Sequence, residues 1–253
     1  MSAHSVIKVN NLSVSYFGKK VFENITFSVT PKQIIGIIGP NGAGKSTLIK
    51  AMIGFIPSDT GTVSFWNQSV DNVRKQLAYV PQRSSIDMDF PVLVEDVVMM
   101  GRHPHISWYG WPNQKDRDIV TKSLRLVGMN EFRKRQIGQL SGGQQQRVFI
   151  ARALAQEASV LFLDEPFVGI DAVSESMIME ILKDIRDQGK TLFVVHHDLS
   201  KAENYFDSLL LLKNRLIAYG KSEEVFQVDC LREAYDGKVA SFGNRNGLLV
   251  VNH

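Results

Sequence analysis

The chain has a single cysteine, Cys230, among 253 residues, so no disulfide can close within it and a reducing compartment is compatible. Net charge is also scarce. Twenty-nine basic against 26 acidic residues leave +3, too small a balance to argue for nucleic acid as a partner. Long apolar runs are missing: IIGIIG and SLLLLK have strand length, far short of the roughly 20 residues a membrane-spanning helix needs. The first residues, MSAHSVIKVNN, lack the charged-then-apolar pattern of a secretory signal. There is no internal repeat and no low-complexity segment. The expectation is a cytosolic protein that meets a membrane only through a partner.

What is present is ordinary globular material, 44% hydrophobic and 22% charged, long enough for one large domain or a core carrying an insert. VIKVNNLSVSY and VFENITFSV alternate apolar and polar residues, as antiparallel strands do. Ile34 to Ile38 is apolar apart from Gly36, the pattern of a buried parallel strand. A helix is expected from Lys45 to Ile53, closed by Gly54, with short strands at TGTVSFW and LAYVPQ. Between about 83 and 150 the character turns helical, in VEDVVMMGR and KDRDIVTKSLRLVGM, around a loop rich in Trp, Tyr, His and Pro. Strand VLFLD, helix SESMIMEILKDIRDQG, strand TLFVV and hairpin SLLLLKNRLIAYG follow. Such alternation implies a parallel sheet with crossover helices, an α/β fold. The stretch after about Asp229 gives no usable signal.

GPNGAGKS, Gly39 to Ser46, has two glycines around four residues and then Lys and Ser. It follows a strand and opens a helix, the context a phosphate-binding loop needs. Its glycines let backbone N–H groups curl around phosphate oxygens, Lys45 can reach the terminal phosphates, and the Ser46 hydroxyl suits Mg²⁺. VLFLDEP sets Asp164 and Glu165 at the end of an apolar strand, where α/β sheets gather their ligands. Asp164 suits a magnesium ion and Glu165 an attacking water. A second glycine-rich helix start, LSGGQQQR from Leu140 to Arg147, also has the make-up of an anion-binding N-terminus.

GPNGAGKST, Gln82, LSGGQ, VLFLDEP and His197 in VVHHDL, in this order over roughly residues 6 to 228, resemble the ATPase subunit of an ATP-binding cassette (ABC) transporter. The resemblance implies a P-loop NTPase (RecA-like) core with a parallel sheet, an N-terminal antiparallel β subdomain, a helical insert at about 83–150 and a short tail from about 229. It further implies an ATP hydrolase using ATP and Mg²⁺ that pairs head to tail with a second copy of itself. Each ATP would lie between the phosphate loop of one copy (Gly39, Pro40, Asn41, Gly42, Ala43, Gly44, Lys45, Ser46, Thr47) and the LSGGQ of the other (Ser141, Gly142, Gly143, Gln144). On the same grounds Tyr16 matches the aromatic that stacks on adenine, with Phe17 beside it as the off-by-one choice and a core aromatic as the plain reading. Gln82 matches a glutamine that contacts Mg²⁺, together with Ser46 and Asp164. Glu165, His197 and Lys45 match the catalytic set, and Asp171 an aspartate that communicates between the two sites. His196 stands where threonine is commoner and reads as structural. FVGIDA departs from the commoner T-S-A-L-D form while keeping Asp171.

Within that family, DMDFPVLVEDVVMMGR, DEPFVGIDA and VVHHDL resemble the ATPases of manganese, zinc and iron(II) importers. GRHPH is also similar to the siderophore and cobalamin importers, although Phe167 stands where those usually have threonine. The resemblance implies integral membrane permease subunits as partners, an extracellular substrate-binding protein indirectly, and a position at the cytoplasmic face of the membrane. A soluble ABC protein would carry two cassettes or a long coiled-coil insertion. A small-molecule kinase would leave LSGGQ without a purpose. His103 and His105 invite a metal reading but have no third ligand at suitable spacing. Trp108, Tyr109 and Trp111 fit a protein contact, while Met99 and Met100 fit either the membrane partner or the helix core.

Overall fold

The computed structural model describes residues 5–83, 91–235, 239–242 and 247–250. In chain order its elements are β1 (Ile7–Tyr16), β2 (Lys19–Val29), β3 (Ile34–Ile38), α1 (Lys45–Met52), β4 (Thr60–Phe65), β5 (Gln68–Ser69) and α2 (Val70–Val73). Next come β6 (Leu77–Val80), α3 (Val94–Met99), α4 (Gln114–Leu126), α5 (Gly142–Ala155), β7 (Val160–Leu163) and α6 (Ala172–Asp187). Last are β8 (Thr191–Val195), α7 (Leu199–Tyr205), β9 (Ser208–Leu212), β10 (Leu216–Gly220), α8 (Ser222–Val225), α9 (Val228–Ala234), β11 (Val239–Phe242) and β12 (Gly247–Val250). The chain forms two units, one of residues 1–74 with 191–253 and one of residues 75–190.

In the first unit, β2, β1, β4 and β5 make an antiparallel sheet in that order. The alternating sequence of β1 buries Ile7, Val9, Leu12 and Val14 on one face, and its register with β2 shifts around Asn11, which takes a positive φ of 47°. Such a bulge bends a strand without moving its apolar side chains to the wrong face. β3 is buried along all five residues and pairs in parallel with β8 on one side and β9 on the other. A strand covered on both sides has no need of alternation, which is why IIGII is continuously apolar. The antiparallel β10 closes the edge against β9. α1 ends at Met52 with Ile53 as its C-cap, and Gly54 at φ 73° lies just beyond.

In the second unit β6 and β7 pair in parallel, and α5 packs against α3, α4, α6 and β6. Nine of the fourteen residues of α5 are buried, Gln145 and Gln146 among them, so it is a core helix. The loop between α3 and α4 contributes Arg102, which is 3% exposed. Its Nε donates to Asp116 Oδ1 at 3.0 Å, and its Nη1 donates to Ala155 O at 2.7 Å and to Glu157 at 2.8 Å. Asp116 also accepts from the Asn113 N–H at 3.0 Å, and that bond holds its carboxyl below the usual range; burial opposes it and Arg102 reinforces it. The C-terminal end of α5 is therefore tied to the start of α4 by a buried ion pair.

Two expectations meet the structure differently here. The stretch after Asp229 holds order: α9 runs to Ala234, and β11 and β12 form an antiparallel hairpin. A seven-residue helix and four-residue strands are too short for periodicity to register. The opening of the expected helical insert, 84–90, and with it the start of DMDFPVLVEDVVMMGR, lie outside the described residues.

Candidate functional site

In the first unit β3 runs into Gly39, whose φ of 147° and closeness to Leu212 O, 2.0 Å from where a Cβ would stand, admit only glycine. The loop turns by an Ala43 N–H to Pro40 O bond of 3.2 Å, Asn41 and Gly42 are exposed, and Gly44 enters α1 in the left-handed region at φ 91°. Lys45, 6% exposed, folds back so that its Nζ donates to Gly39 O at 2.8 Å and Pro40 O at 2.9 Å. Its charge is thus held at the mouth of the loop by carbonyls that a phosphate can replace. Ser46 and Thr47 follow in the first turn, both half-buried.

Also in this unit, Tyr16 ends β1 at 43% exposed and Phe17, at φ 49°, is fully exposed. Neither is a core aromatic. His197 follows β8 and is exposed, while His196 is 2% exposed and packs against the rings of Tyr205 and Phe206 at 6.0 and 5.7 Å. His196 is thus part of the packing, as the sequence reading has it.

In the second unit the ends of β6 and β7 bring the acids and the glutamine together. Asp164 is 4% exposed, its N–H donates to Val80 O at 2.9 Å, and the Tyr79 hydroxyl donates to its Oδ2 at 3.1 Å. Burial, first, and the carboxylate beside it push the Tyr79 hydroxyl well above its ordinary range, so it remains a donor. Gln82 Nε2 donates to Glu165 Oε2 at 2.6 Å. Glu165 itself takes φ 49°, a backbone region that a side chain rarely occupies and that is held at a cost of about 1–3 kcal/mol. Strain of this kind gathers where a side chain must be aimed.

α5, the LSGGQ signature helix, starts with Ser141 at its N-cap. The Ser141 N–H donates to Gln144 Oε1 at 2.9 Å and the Gln144 N–H donates to Ser141 Oγ at 3.4 Å, closing a capping box. Gly142 and Gly143 are crowded from outside. A Cβ on Gly142 would lie 2.7 Å from Arg83 Nη1, and one on Gly143 would lie 2.4 Å from Ser174 Oγ. Ser174 belongs to the cap of α6, where Asp171 accepts from its N–H at 2.9 Å and its hydroxyl at 2.7 Å. These bonds, the backbone one first, hold the Asp171 carboxyl below its usual range. Asp171 and LSGGQ are thus neighbours within one unit, joined through Ser174.

The remaining sequence candidates lie elsewhere. His103 is exposed, and exposed His105 sets Nε2 2.9 Å from Gln156 O, which accepts from it. Among the described residues no three His, Cys, Asp or Glu gather as a metal ion would require. Met100 is 42% exposed and Met99 half-buried, and Trp108, Tyr109 and Trp111 are each at least 90% exposed. Sequence reasoning missed Tyr79, Arg83, Gln145 and Ser174. Only Tyr79 left a trace, as the one polar residue in LAYV.

Comparison with known proteins agrees with this arrangement. The family described as "ABC transporter" matches residues 22–168. The manganese transport system ATP-binding protein MntB of Halalkalibacterium halodurans is 58% identical over 98% of both chains. MntB of Bacillus subtilis is 48% identical over 92% of this chain and 93% of its own. The zinc transport system ATP-binding protein TroB of Treponema pallidum is 44% identical over 93% of this chain and 88% of its own. Among solved structures, an ATP-binding cassette of an ABC transporter in its ADP conformation shares the fold, with a TM-score of 0.82 at 24% identity over 92% of this chain and 98% of that one. CbiO1 from Clostridium perfringens, part of an ABC transporter complex, gives 0.77 at 28% identity over 90% and 93%. With a glycine-bound phosphate loop, acids at strand ends, a capped LSGGQ helix and relatives of this identity along nearly its whole length, the chain belongs to the ABC transporter family, as one of its ATPases.

Proposed function

We propose that this chain is the ATP-hydrolysing subunit of an importer of divalent metal ions, manganese ahead of zinc, held at the cytoplasmic face of the cell membrane by permease subunits. The observation that carries the cargo is the identity of 58% over 98% of both chains with a protein named for manganese transport. A substrate-binding protein outside the membrane would deliver the metal. No helix among the described residues is long and apolar enough to cross a membrane, so the passage itself belongs to the permease.

In this reading the backbone N–H groups from Gly39 to Thr47 cradle the phosphates of ATP, and Lys45 exchanges its loop carbonyls for terminal phosphate oxygens. Tyr16 stacks on the adenine. Ser46, Gln82 and Asp164 are oxygen donors, the set that fits Mg²⁺. When bound, Mg²⁺ neutralises charge on the phosphate oxygens. Glu165, its carboxylate aimed by Gln82, accepts a proton from the water as the water oxygen bonds to the γ-phosphorus and the bridge to ADP breaks. His197 donates to the γ-phosphate. The LSGGQ of a second copy, Ser141 to Gln144, closes the far side, and Asp171, tied to it through Ser174, links the two sites. Loss of the γ-phosphate then removes contacts that hold the pair shut.

Two measurements test this. The purified chain is expected to hydrolyse ATP, and Glu165→Gln to lose that activity while still binding ATP. Cells lacking the chain are expected to accumulate less manganese from dilute medium and to recover with the wild-type chain but not with Glu165→Gln. Unchanged manganese uptake in the deletion strain sinks the cargo assignment.

A further inference from the structure

We infer that Arg83 is a positioning residue that couples the signature helix to the catalytic carboxylate through its neighbour Gln82. The inference rests on the reading of Gln82 and Glu165 given above. Arg83 Nε donates to Gln145 Oε1 at 2.7 Å, and Gln145 Nε2 donates to Ile137 O at 3.0 Å. Gln145 is 2% exposed and lies in the first turn of α5, one residue past the LSGGQ segment. A carbonyl can only accept, so the Ile137 bond fixes which end of the Gln145 amide faces Arg83. The same guanidinium lies against Gly142, where a Cβ would come within 2.7 Å of Nη1, and Nη1 is 3.9 Å from the Cβ position of Gly169.

One peptide bond away, Gln82 holds Glu165 at 2.6 Å. Two adjacent residues therefore grip two different parts of the second unit, one the acid and the other the helix start that a partner's nucleotide would engage. The peptide between them holds their Cα atoms about 3.8 Å apart. A small shift of α5 on engagement would pull Gln145, Arg83 and Gln82 together and re-aim the Glu165 carboxylate. Gly142 is glycine in part because the guanidinium needs the space.

The test uses the full-length chain. Arg83→Ala and Gln145→Ala are each expected to lower kcat for ATP about tenfold, the scale of one charged hydrogen bond, with KM for ATP within about twofold of wild type. Melting temperature is expected to hold in Arg83→Ala and to fall in Gln145→Ala, which strips the Ile137 carbonyl of its donor. In kcat the double variant is expected to be no worse than either single one, and Arg83→Lys, which keeps a donor, to recover part of the loss. Wild-type kcat in the single variants, additive kcat losses in the double, or a loss in Arg83→Ala that follows a fall in its melting temperature would overturn the proposal. Glu165→Gln run alongside separates two failures. Normal turnover there removes the underlying reading, whereas lost turnover there with wild-type kcat in Arg83→Ala removes only the role of Arg83.

Discussion

The molecule has two glycine-rich helix starts, and they are built in opposite ways. α1 begins at a left-handed Gly44 with no side-chain cap, directly after a buried strand, and its own lysine folds back over the loop. α5 begins at an extended Ser141 inside a capping box, is crowded by Arg83 and Ser174, and is anchored at its far end by the buried Arg102. The first is a cradle shaped to surround a phosphate. In the second, the capping box already engages the N–H groups of Ser141 and Gln144. Under the proposed function that contrast is the reason for two glycine-rich starts: one would engulf the nucleotide of its own chain and the other would clamp the nucleotide of a second copy.

The sharpest way to break the contrast is to disable each start separately. Lys45→Ala is expected to lower ATP hydrolysis by about 10³-fold, near 4 kcal/mol, and to weaken ATP binding by the lone chain. Ser141→Arg is expected to lower hydrolysis comparably while the lone chain binds ATP as before, measured by titration calorimetry. Equal losses of binding in both variants would erase the distinction.

Next in size is the anchor of α5. Asp116→Ala, which leaves the buried Arg102 without its buried carboxylate partner and removes one side of the α4 capping box, is expected to cost about 3 kcal/mol in chemical denaturation. The carboxyl of Asp116 is depressed in the folded state, so its contribution is present above the ordinary carboxylate pKa of about 4 and is lost as pH falls below it. Wild type is thus expected to lose stability on acidification below pH about 4, and Asp116→Ala to lose less over that range. Parallel acid profiles would contradict this.

Smaller effects sharpen the cradle and the cap. Tyr16→Ala is expected to weaken ATP binding by about 2 kcal/mol, the worth of one stacked base, with the signature helix untouched. Should Phe17→Ala carry the loss instead, the adenine platform is one residue along. Ser141→Ala is expected to cost about 1 kcal/mol of stability through the lost cap.

Much of this was legible in the sequence because it depends on local pattern. The phosphate loop announces itself by glycine spacing between a continuous apolar strand and a helix, and β1 and β2 by alternation. Asp164 and Glu165 are legible as the last residues of an apolar run. What was not legible depends on contacts between distant segments. Nothing in GRHPH singles out Arg102 over its histidines, yet Arg102 is the buried residue and His103 and His105 are exposed. Arg83 and Gln145 lie 62 residues apart and meet only because β6 and α5 pack together. The left-handed backbone of Glu165 is invisible in composition, since a side chain there is held by its surroundings and not by preference. The tail gave no signal because its helix and strands are shorter than any period can mark.

The central claim is that LSGGQ is the second half of an ATP site shared between two copies. Its most direct measurement is the solution mass of Glu165→Gln with and without ATP and Mg²⁺, alone and together with its permease. The account predicts an ATP-dependent shift from monomer to dimer, or the equivalent closure in the complex, abolished by adding Ser141→Arg. A mass and closure indifferent to ATP in both settings would contradict it.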